Sequence, residues 1–255
     1  MGKVISYILY DLIRNRVLIA YAFFLFLLSV GMFGLQSHQN KVLVTLLNIS
    51  LIAIPLMSLV FSTIHFYNSS EFMELLLAQP LPRATILLSQ FVALGIALVG
   101  AFMLGMGLPI LWFSPTEVGV WLIIAGVLVT LVFVALAGMA AVFTKDKTKG
   151  IGVVLLLWLY FALLFDSIAL LILYSFSDYP IEKTMLGLSL LNPIDLSRLL
   201  VLLKMEASAL MGLTAAVFRE FLGSSKGLWG VLLTMSLWIF IPTRLAVFLF
   251  KKKDL

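Results

Sequence analysis

Cysteine is absent from the 255 residues, and the chain has only two histidines, His38 and His65. Without a thiol there can be no disulfide, no thiolate metal site and no cysteine nucleophile. Neither an H-E-x-x-H motif nor a G-x-x-x-x-G-K-[ST] phosphate loop occurs. We therefore predict no catalytic residue, no metal ligand and no cofactor bound by this chain.

Charged residues are also scarce, at 11% of the chain, whereas 63% is hydrophobic and the mean hydropathy is +1.17. Soluble domains carry about a quarter charged residues, so this chain has too few to cover a surface facing water. Its net charge of +5 is spread over many short segments and forms no single basic face. This distribution argues against a nucleic-acid partner.

Six apolar runs are long enough to cross a bilayer, which takes about 20 residues of helix. A backbone exposed to lipid must satisfy its own hydrogen bonds, and the runs lack the alternation of a barrel strand. The sequence thus predicts an all-α polytopic membrane protein, a single domain over 1–255. The predicted spans are 17–35, 42–64, 86–112, 118–143, 151–176 and 229–250.

Lysine and arginine predict the orientation, because they accumulate on the cytoplasmic side. With the N-terminus inside, eleven of these residues face the cytoplasm and six lie outside. The clearest signals are TKDKTKG at 144–150 and the lysines at 251–253, which also attract anionic lipid. Both termini are therefore predicted to be cytoplasmic.

The N-terminal segment 3–16 carries apolar residues at helical spacing, with its charges elsewhere on the helix. This pattern is typical of a helix lying in the membrane interface. The alternative is a cytoplasmic extension of the first span.

The third span has small residues every four positions, on one helical face. Such a face lets another helix approach closely. The alternative is the ordinary use of glycine and alanine in membrane helices. The residues of this predicted packing face are Ala93, Ala97, Ala101 and Gly105.

Segment 65–85 is too polar to continue a span and too apolar for a free loop. The polar residues 68–70 suit helix capping, the acidic residues after them suit a first turn, and Pro80 and Pro82 end the pattern. We predict a short helix across the cytoplasmic mouth, the alternative being a span end followed by a turn. Its predicted contact residues are Glu71, Glu74, Leu76 and Arg83.

Segment 177–228 is predicted to lie outside and to contain two helices. Asn192 suits the N-cap of the first, Pro193 its first position and Asp195 its first turn. The second is predicted from Glu206 to Leu222. Their apolar faces need lipid headgroups, the membrane domain or another protein to cover them. The predicted docking residues are Asn192, Pro193, Asp195, Arg198, Leu199 and Leu203.

Asp166 is the one clearly intramembrane charge, roughly 20 Å along its span at 1.5 Å per residue. A charge at such a position suggests an ion pathway. The alternatives are a hydrogen bond to a neighbouring helix or a place near the outer headgroups.

The 65–85 segment resembles the ABC-2 class of ABC-transporter permeases, in which a Glu-Leu-Leu-Leu-x-x-Pro stretch and an Arg separate the second and third spans. Here the stretch runs from Glu74 to Arg83. Gln90 stands near the start of the third span, where the class often has Lys. The resemblance implies a type V exporter-like architecture in the bacterial inner membrane. It also implies a homodimer with a cytoplasmic ATPase that carries ATP and Mg.

Residues 190–224 are similar to the region before the last span in the NosY family of permeases, through Asn192, Pro193, Asp195 and Arg198. This resemblance implies a NosF-like ATPase, a NosD-like periplasmic protein and a role in copper-site maturation of nitrous oxide reductase. Two other functions stay open from the residues alone, an ion-coupled secondary transporter using Asp166 and a membrane scaffold that transports nothing.

Overall fold

The computed structural model describes residues 2–36, 38–78, 82–144, 146–176, 187–205 and 225–252. These residues form helices and connecting turns, with no strand among them. Six helices are long and apolar enough to span a membrane, which confirms the predicted fold class and all six spans. They are Arg16–Leu35, Gln39–Asn68, Arg83–Phe113, Glu117–Phe143, Lys147–Ile172 and Gly227–Lys252.

Nine helices are named over the described residues, two of them interrupted by a π-helical turn. The bounds are α1 Gly2–Ile13, α2 Arg16–Leu35, α3 Gln39–Asn68, α4 Ser70–Leu77, α5 Arg83–Phe113 with a π turn at Met103–Gly107, α6 Glu117–Phe143, α7 Lys147–Ser175 with a π turn at Tyr160–Leu164, α8 Pro193–Leu202 and α9 Ser225–Lys252.

Helix α6 lies at the centre and packs against α3, α5, α8 and α9. Aromatic rings of α5 pack against two glycines of α6. A Cβ at Gly126 would lie 2.3 Å from the Phe102 ring, and one at Gly138 would lie 2.2 Å from the Phe91 ring. Close packing around this helix therefore depends on the absence of side chains at two positions.

Helices α2, α7 and α9 lie at the periphery and expose large apolar side chains, including Phe23, Leu156 and Phe240. Exposed apolar faces of this size mark contact with a membrane or another protein. The periphery therefore has the character of a lipid-facing or subunit-facing surface.

Helix α1 is separate from the first span. It ends at Ile13, and the Asn15 side chain caps α2 by accepting a hydrogen bond from the Val17 backbone N–H at 2.9 Å. Its apolar face, with Ile8 and Leu12 buried, packs against α5. The interpretation of 3–16 as an extension of the first span is therefore wrong.

The small-residue face of α5 is buried in the molecule. At Gly105 a Cβ would lie 2.6 Å from the Ala22 carbonyl oxygen, so α2 approaches the α5 backbone directly there. All four residues of the predicted packing face are buried, and α2 is the neighbour that approaches Gly105.

Candidate functional sites at the two ends of α7

Helix α4 follows α3 after a single residue, Ser69. The Ser69 hydroxyl donates to the His65 carbonyl oxygen at 2.8 Å, and the Ser70 hydroxyl donates to the Tyr67 carbonyl oxygen at 2.8 Å. These serines, predicted as caps of the short helix, therefore satisfy carbonyl groups at the end of α3. The short helix itself exists and begins at Ser70.

Helix α4 packs on the rest of the chain through one face. Phe72 stacks on Tyr7 of α1, with ring centroids 5.1 Å apart. Leu76 is 7% exposed, whereas Leu75 is 70% exposed. Leu76, which the sequence predicts as a partner contact, is thus covered by the chain itself, whereas Leu75 faces outward.

The structure describes the side chain of only one of the three other predicted contact residues of this segment. Glu71 and Glu74 lie in α4, but their side chains lie outside the described part of the structure. Arg83 is the first residue of α5 and is exposed. The predicted contact role of these three residues stays a prediction.

Gln90 joins α5 to the junction between α3 and α4. It is 1% exposed, and its side-chain amide donates to the Ser69 hydroxyl oxygen at 2.9 Å. Its carbonyl oxygen Oε1 is buried and has no protein partner among the described residues. The hydrogen bond from the buried Gln90 amide to Ser69 therefore holds the α3–α4 junction against the start of the third span.

A cavity of about 220 Å³ lies beside the same junction, between α1, α3 and α4. Asp11, His65, Asn68 and Ser69 supply its polar lining, and Tyr7, Ile8 and Phe72 supply the apolar part.

The end of α3 is also tied to the turn between α6 and α7. The Tyr67 hydroxyl donates to the Thr144 carbonyl oxygen at 3.2 Å, and it contacts the Thr144 hydroxyl. The Lys147 ammonium donates to the Asn68 side-chain oxygen at 2.7 Å. The Tyr67 ring lies on Gly150, where a Cβ would be 2.3 Å from the Tyr67 hydroxyl oxygen. Residues 67–70 thus connect α4, α5 and the α6–α7 turn.

Helix α8 starts where the sequence predicts. Asn192 is its N-cap, accepting from the Ile194 backbone N–H at 3.0 Å, and Pro193 is its first residue. The Asn192 amide also donates to the Phe161 carbonyl oxygen at 3.0 Å, within the π turn of α7. A π turn interrupts the regular i to i−4 bonding of a helix. The cap residue therefore anchors α8 to a backbone carbonyl group of α7.

The start of α8 lies deep among the spans, because Phe161 meets Phe133 of α6 and Trp238 of α9 edge to face. Its far end lies near the first residue of α6, where the Lys204 ammonium is 2.7 Å from the Glu117 carboxylate. Helix α8 packs against α3, α6 and α9. It is thus a short helix inserted between spans, not one lying free outside them.

This insertion covers most of the predicted docking set. Asn192 is fully buried, Pro193 is buried, Leu199 is 7% exposed, and Leu203 is half-buried. The leucines of α8 are therefore covered by the chain itself, one of the three possibilities the sequence left open. The predicted second helix, 206–222, lies outside the described residues.

Three charged groups meet where α8 passes α7. The Arg198 guanidinium is 3.3 Å from the Asp166 carboxylate and 3.3 Å from the Asp195 carboxylate. The alternative in which Asp166 bonds to a neighbouring helix is therefore the one that the structure shows. Burial raises the pKa of the Asp195 carboxyl to about 7, with the adjacent Asp166 charge adding to the effect and Arg198 opposing it.

The described residues hold no cluster of three His, Asp or Glu side chains placed to bind a metal ion. The chemistry of these sites is that of helix positioning through hydrogen bonds, ring contacts and ion pairs.

Sequence reasoning missed Tyr67, Gly150 and Phe161. A tyrosine and a glycine are unremarkable in membrane helices, and a carbonyl group carries no sequence signal at all. Gln90 did carry a signal, as an amide inside an apolar helix, because a buried amide needs a partner.

Comparison with known proteins identifies the family to which this chain is similar. Residues 9–255 match the family described as ABC-2 family transporter protein. The chain is 31% identical over 266 aligned positions to a probable ABC transporter permease protein NosY of Pseudomonas aeruginosa, covering 96% of this chain and 95% of that protein. It is 28% identical over 265 positions to a protein of the same name from Stutzerimonas stutzeri, covering 95% of each.

The relatives are named as permeases, which are membrane subunits of ABC transporters. Six apolar spans and this kinship agree with a multi-pass protein of the bacterial inner membrane, and the family implies a cytoplasmic ATPase as partner. The chain belongs to the ABC-2 family of transporter permeases.

Proposed function

We propose that this chain couples ATP hydrolysis on a separate cytoplasmic ATPase to movement of its own membrane helices, and that α4 is the ATPase contact. The observation that carries the proposal is the placement of α4. It is an eight-residue helix held on one face by Tyr7 and on its end by the Ser69–Gln90 bond, with Leu75 facing away from the chain. A short helix with one free apolar side suits burial in a groove of a partner.

The test is co-purification with the ATPase and stimulation of its hydrolysis. Leu75→Asp places a charge in the proposed contact, so we expect ATPase binding to fall at least tenfold while the permease still inserts. Leu75→Met keeps an apolar side chain of similar volume and serves as the matched control. ATPase binding by Leu75→Asp at the wild-type level would show that α4 is not the contact.

Glu74→Lys extends the test to the carboxylates of the same helix. Reversing a charge at a protein contact strands the partner's group, which typically costs a few kcal/mol. We expect the variant to insert normally and to lose stimulation of the ATPase. Normal stimulation would remove Glu74 from the contact and leave the leucine test unaffected.

The finer assignment follows the relatives. We propose a homodimer with two NosF-like ATPases and a NosD-like periplasmic protein, acting in copper-site maturation of nitrous oxide reductase. Support comes from the similarity around Asn192, Pro193, Asp195 and Arg198 and from the permeases named NosY. Deleting the chain should leave the reductase protein present but deficient in copper, which metal analysis of the purified reductase measures. A reductase with full copper content would contradict this role.

A further inference from the structure

Helix α7 contacts the candidate ATPase-side junction at one end and the inserted helix α8 further along. At the first end the Tyr67 ring packs against Gly150. Further along, Phe161 accepts from Asn192 and Asp166 pairs with Arg198. At 1.5 Å per residue these contacts are roughly 16 Å and 24 Å from Gly150.

The contact between Gly150 and Tyr67 depends on glycine having no side chain. A Cβ there would lie 2.3 Å from the Tyr67 hydroxyl oxygen and 2.6 Å from the ring edge, so any larger residue moves the ring. The Thr144 hydroxyl donates to the Ala140 carbonyl oxygen at 2.7 Å, so its proton is already engaged. Tyr67 is therefore the donor to Thr144, and one side chain holds the end of α3 to both sides of the α6–α7 turn.

Helix α7 packs on α3 through its first half, and its Phe161 ring meets Phe133 of α6 and Trp238 of α9. It buries the smallest share of its residues among the six spans. Between its two ends it is joined to α3 by the Trp158 indole, which donates to the Ile52 carbonyl oxygen at 3.2 Å. A rigid helix that contacts both sites can carry a displacement from one to the other.

We propose that α7 carries the displacement of the α3–α4 junction to α8, with Gly150 as the positioning residue that seats Tyr67 at the inner end of this connection. The inference rests on the proposed function, because it takes the ATPase to be what displaces the junction. It adds the route, and it identifies α8 as the element that responds.

The chain offers a matched pair of substitutions. Gly150→Ala and Gly152→Ala both replace a glycine in α7 and both raise helix propensity. A Cβ at Gly150 meets Tyr67, whereas a Cβ at Gly152 meets no atom within 4 Å. Their difference therefore isolates the Tyr67 contact from the change in helix propensity.

The experiment uses the full chain with its ATPase in lipid nanodiscs and measures backbone hydrogen exchange over 193–202, with and without a non-hydrolysable ATP analogue. In the wild type and in Gly152→Ala we expect the analogue to change exchange in α8. In Gly150→Ala we expect ATPase affinity within twofold of wild type and the change in α8 reduced at least fivefold.

A second variant covers the case in which Gly150→Ala does not fold. Tyr67→Phe keeps the ring and removes only the donor to Thr144, and it should reduce the response of α8 about twofold to threefold. A full response of α8 in both variants overturns the inference, as does a wild type in which the bound analogue leaves α8 unchanged. Failure of the wild-type chain to bind the ATPase would instead overturn the proposed function, and the inference with it.

Discussion

Arg198 of α8 and Asp166 of α7 form an ion pair with 3.3 Å between their nearest atoms, and Asp195 competes for the same guanidinium at 3.3 Å. One positive charge therefore faces two carboxylates. The Arg198 and Asp166 side chains are 35% and 37% exposed, so screening limits the pair to about 1 kcal/mol or less. The cluster orients α8 against α7 more than it stabilises the fold.

The first prediction is that α8 is held more tightly below neutral pH. The pKa of Asp195 rises from 3.8 to about 7 on folding, so the folded chain binds a proton that the unfolded chain has released. The stability that this group contributes is full below the unfolded pKa and is lost as pH rises through about 7. Hydrogen exchange over 193–202, corrected for intrinsic rates, should be slower at pH 6 than at pH 8.

Two variants test the origin of that transition. Asp195→Asn keeps the shape and removes the titrating group, so the difference between pH 6 and pH 8 should vanish. Asp166→Asn removes a charge that raises the Asp195 pKa, so the transition should move to lower pH. A transition unchanged in Asp195→Asn would assign the titration to another group.

The second prediction concerns Asn192, whose side chain makes two bonds from a fully buried position. Asn192→Ala removes an N-cap, worth about 1 kcal/mol, and leaves the Phe161 carbonyl oxygen without its donor, worth about 1 kcal/mol more. We expect a loss of about 2 kcal/mol, measured by denaturant unfolding in detergent.

Thr116→Ala is the matched control for that loss. The Thr116 hydroxyl oxygen caps α6 by accepting from the Gly119 backbone N–H at 3.2 Å. Its removal should cost about 1 kcal/mol, the value of the cap alone. Equal losses in the two variants would mean that the bond to Phe161 contributes nothing.

The third prediction concerns the packing of α5 on α6. Gly126→Ala would place a Cβ 2.3 Å from the fully buried Phe102 ring, and overpacking of this kind costs about 1–3 kcal/mol. Gly100→Ala in α5 meets no atom within 4 Å and should be neutral or stabilising. Gly126→Ala should therefore unfold at a lower temperature than the wild type and Gly100→Ala should not, and a similar decrease in both variants would contradict this account.

The fourth prediction concerns orientation in the membrane. The chain has no cysteine, so single cysteines can be introduced without a background. Pro115 precedes α6 and Thr148 lies in the first turn of α7, beyond the other end of α6, and both residues are exposed. In intact cells a membrane-impermeant thiol reagent should label Pro115→Cys alone. Labelling of Thr148→Cys alone would show that the topology is the reverse of the predicted one.

Much of the fold could be predicted from the sequence because hydropathy is a local property. Each span is a long, predominantly apolar run, and its length is set by bilayer thickness whatever its neighbours are. Asn192 and Pro193 likewise predict the start of α8, since capping involves only the first turn. These features need no knowledge of which helices touch.

The sites could be predicted only in part, because each depends on which faces meet. Within α4 the sequence does not distinguish Leu75 from Leu76, and the packing of α4 on α1 decides which one is free. The partner of Asp166 is Arg198, which lies 32 positions later in the chain.

The sequence by itself determined six membrane helices, the short helix after α3 and the capped start of α8, all through periodicity, length and end residues. Only the tertiary structure decided that α8 is inserted between spans, that Arg198 joins it to α7 and that Tyr67 rests on Gly150. The physical reason is that an apolar leucine, an arginine or a glycine is compatible with many neighbours. Which neighbour it has is fixed when distant helices pack and exclude the alternatives.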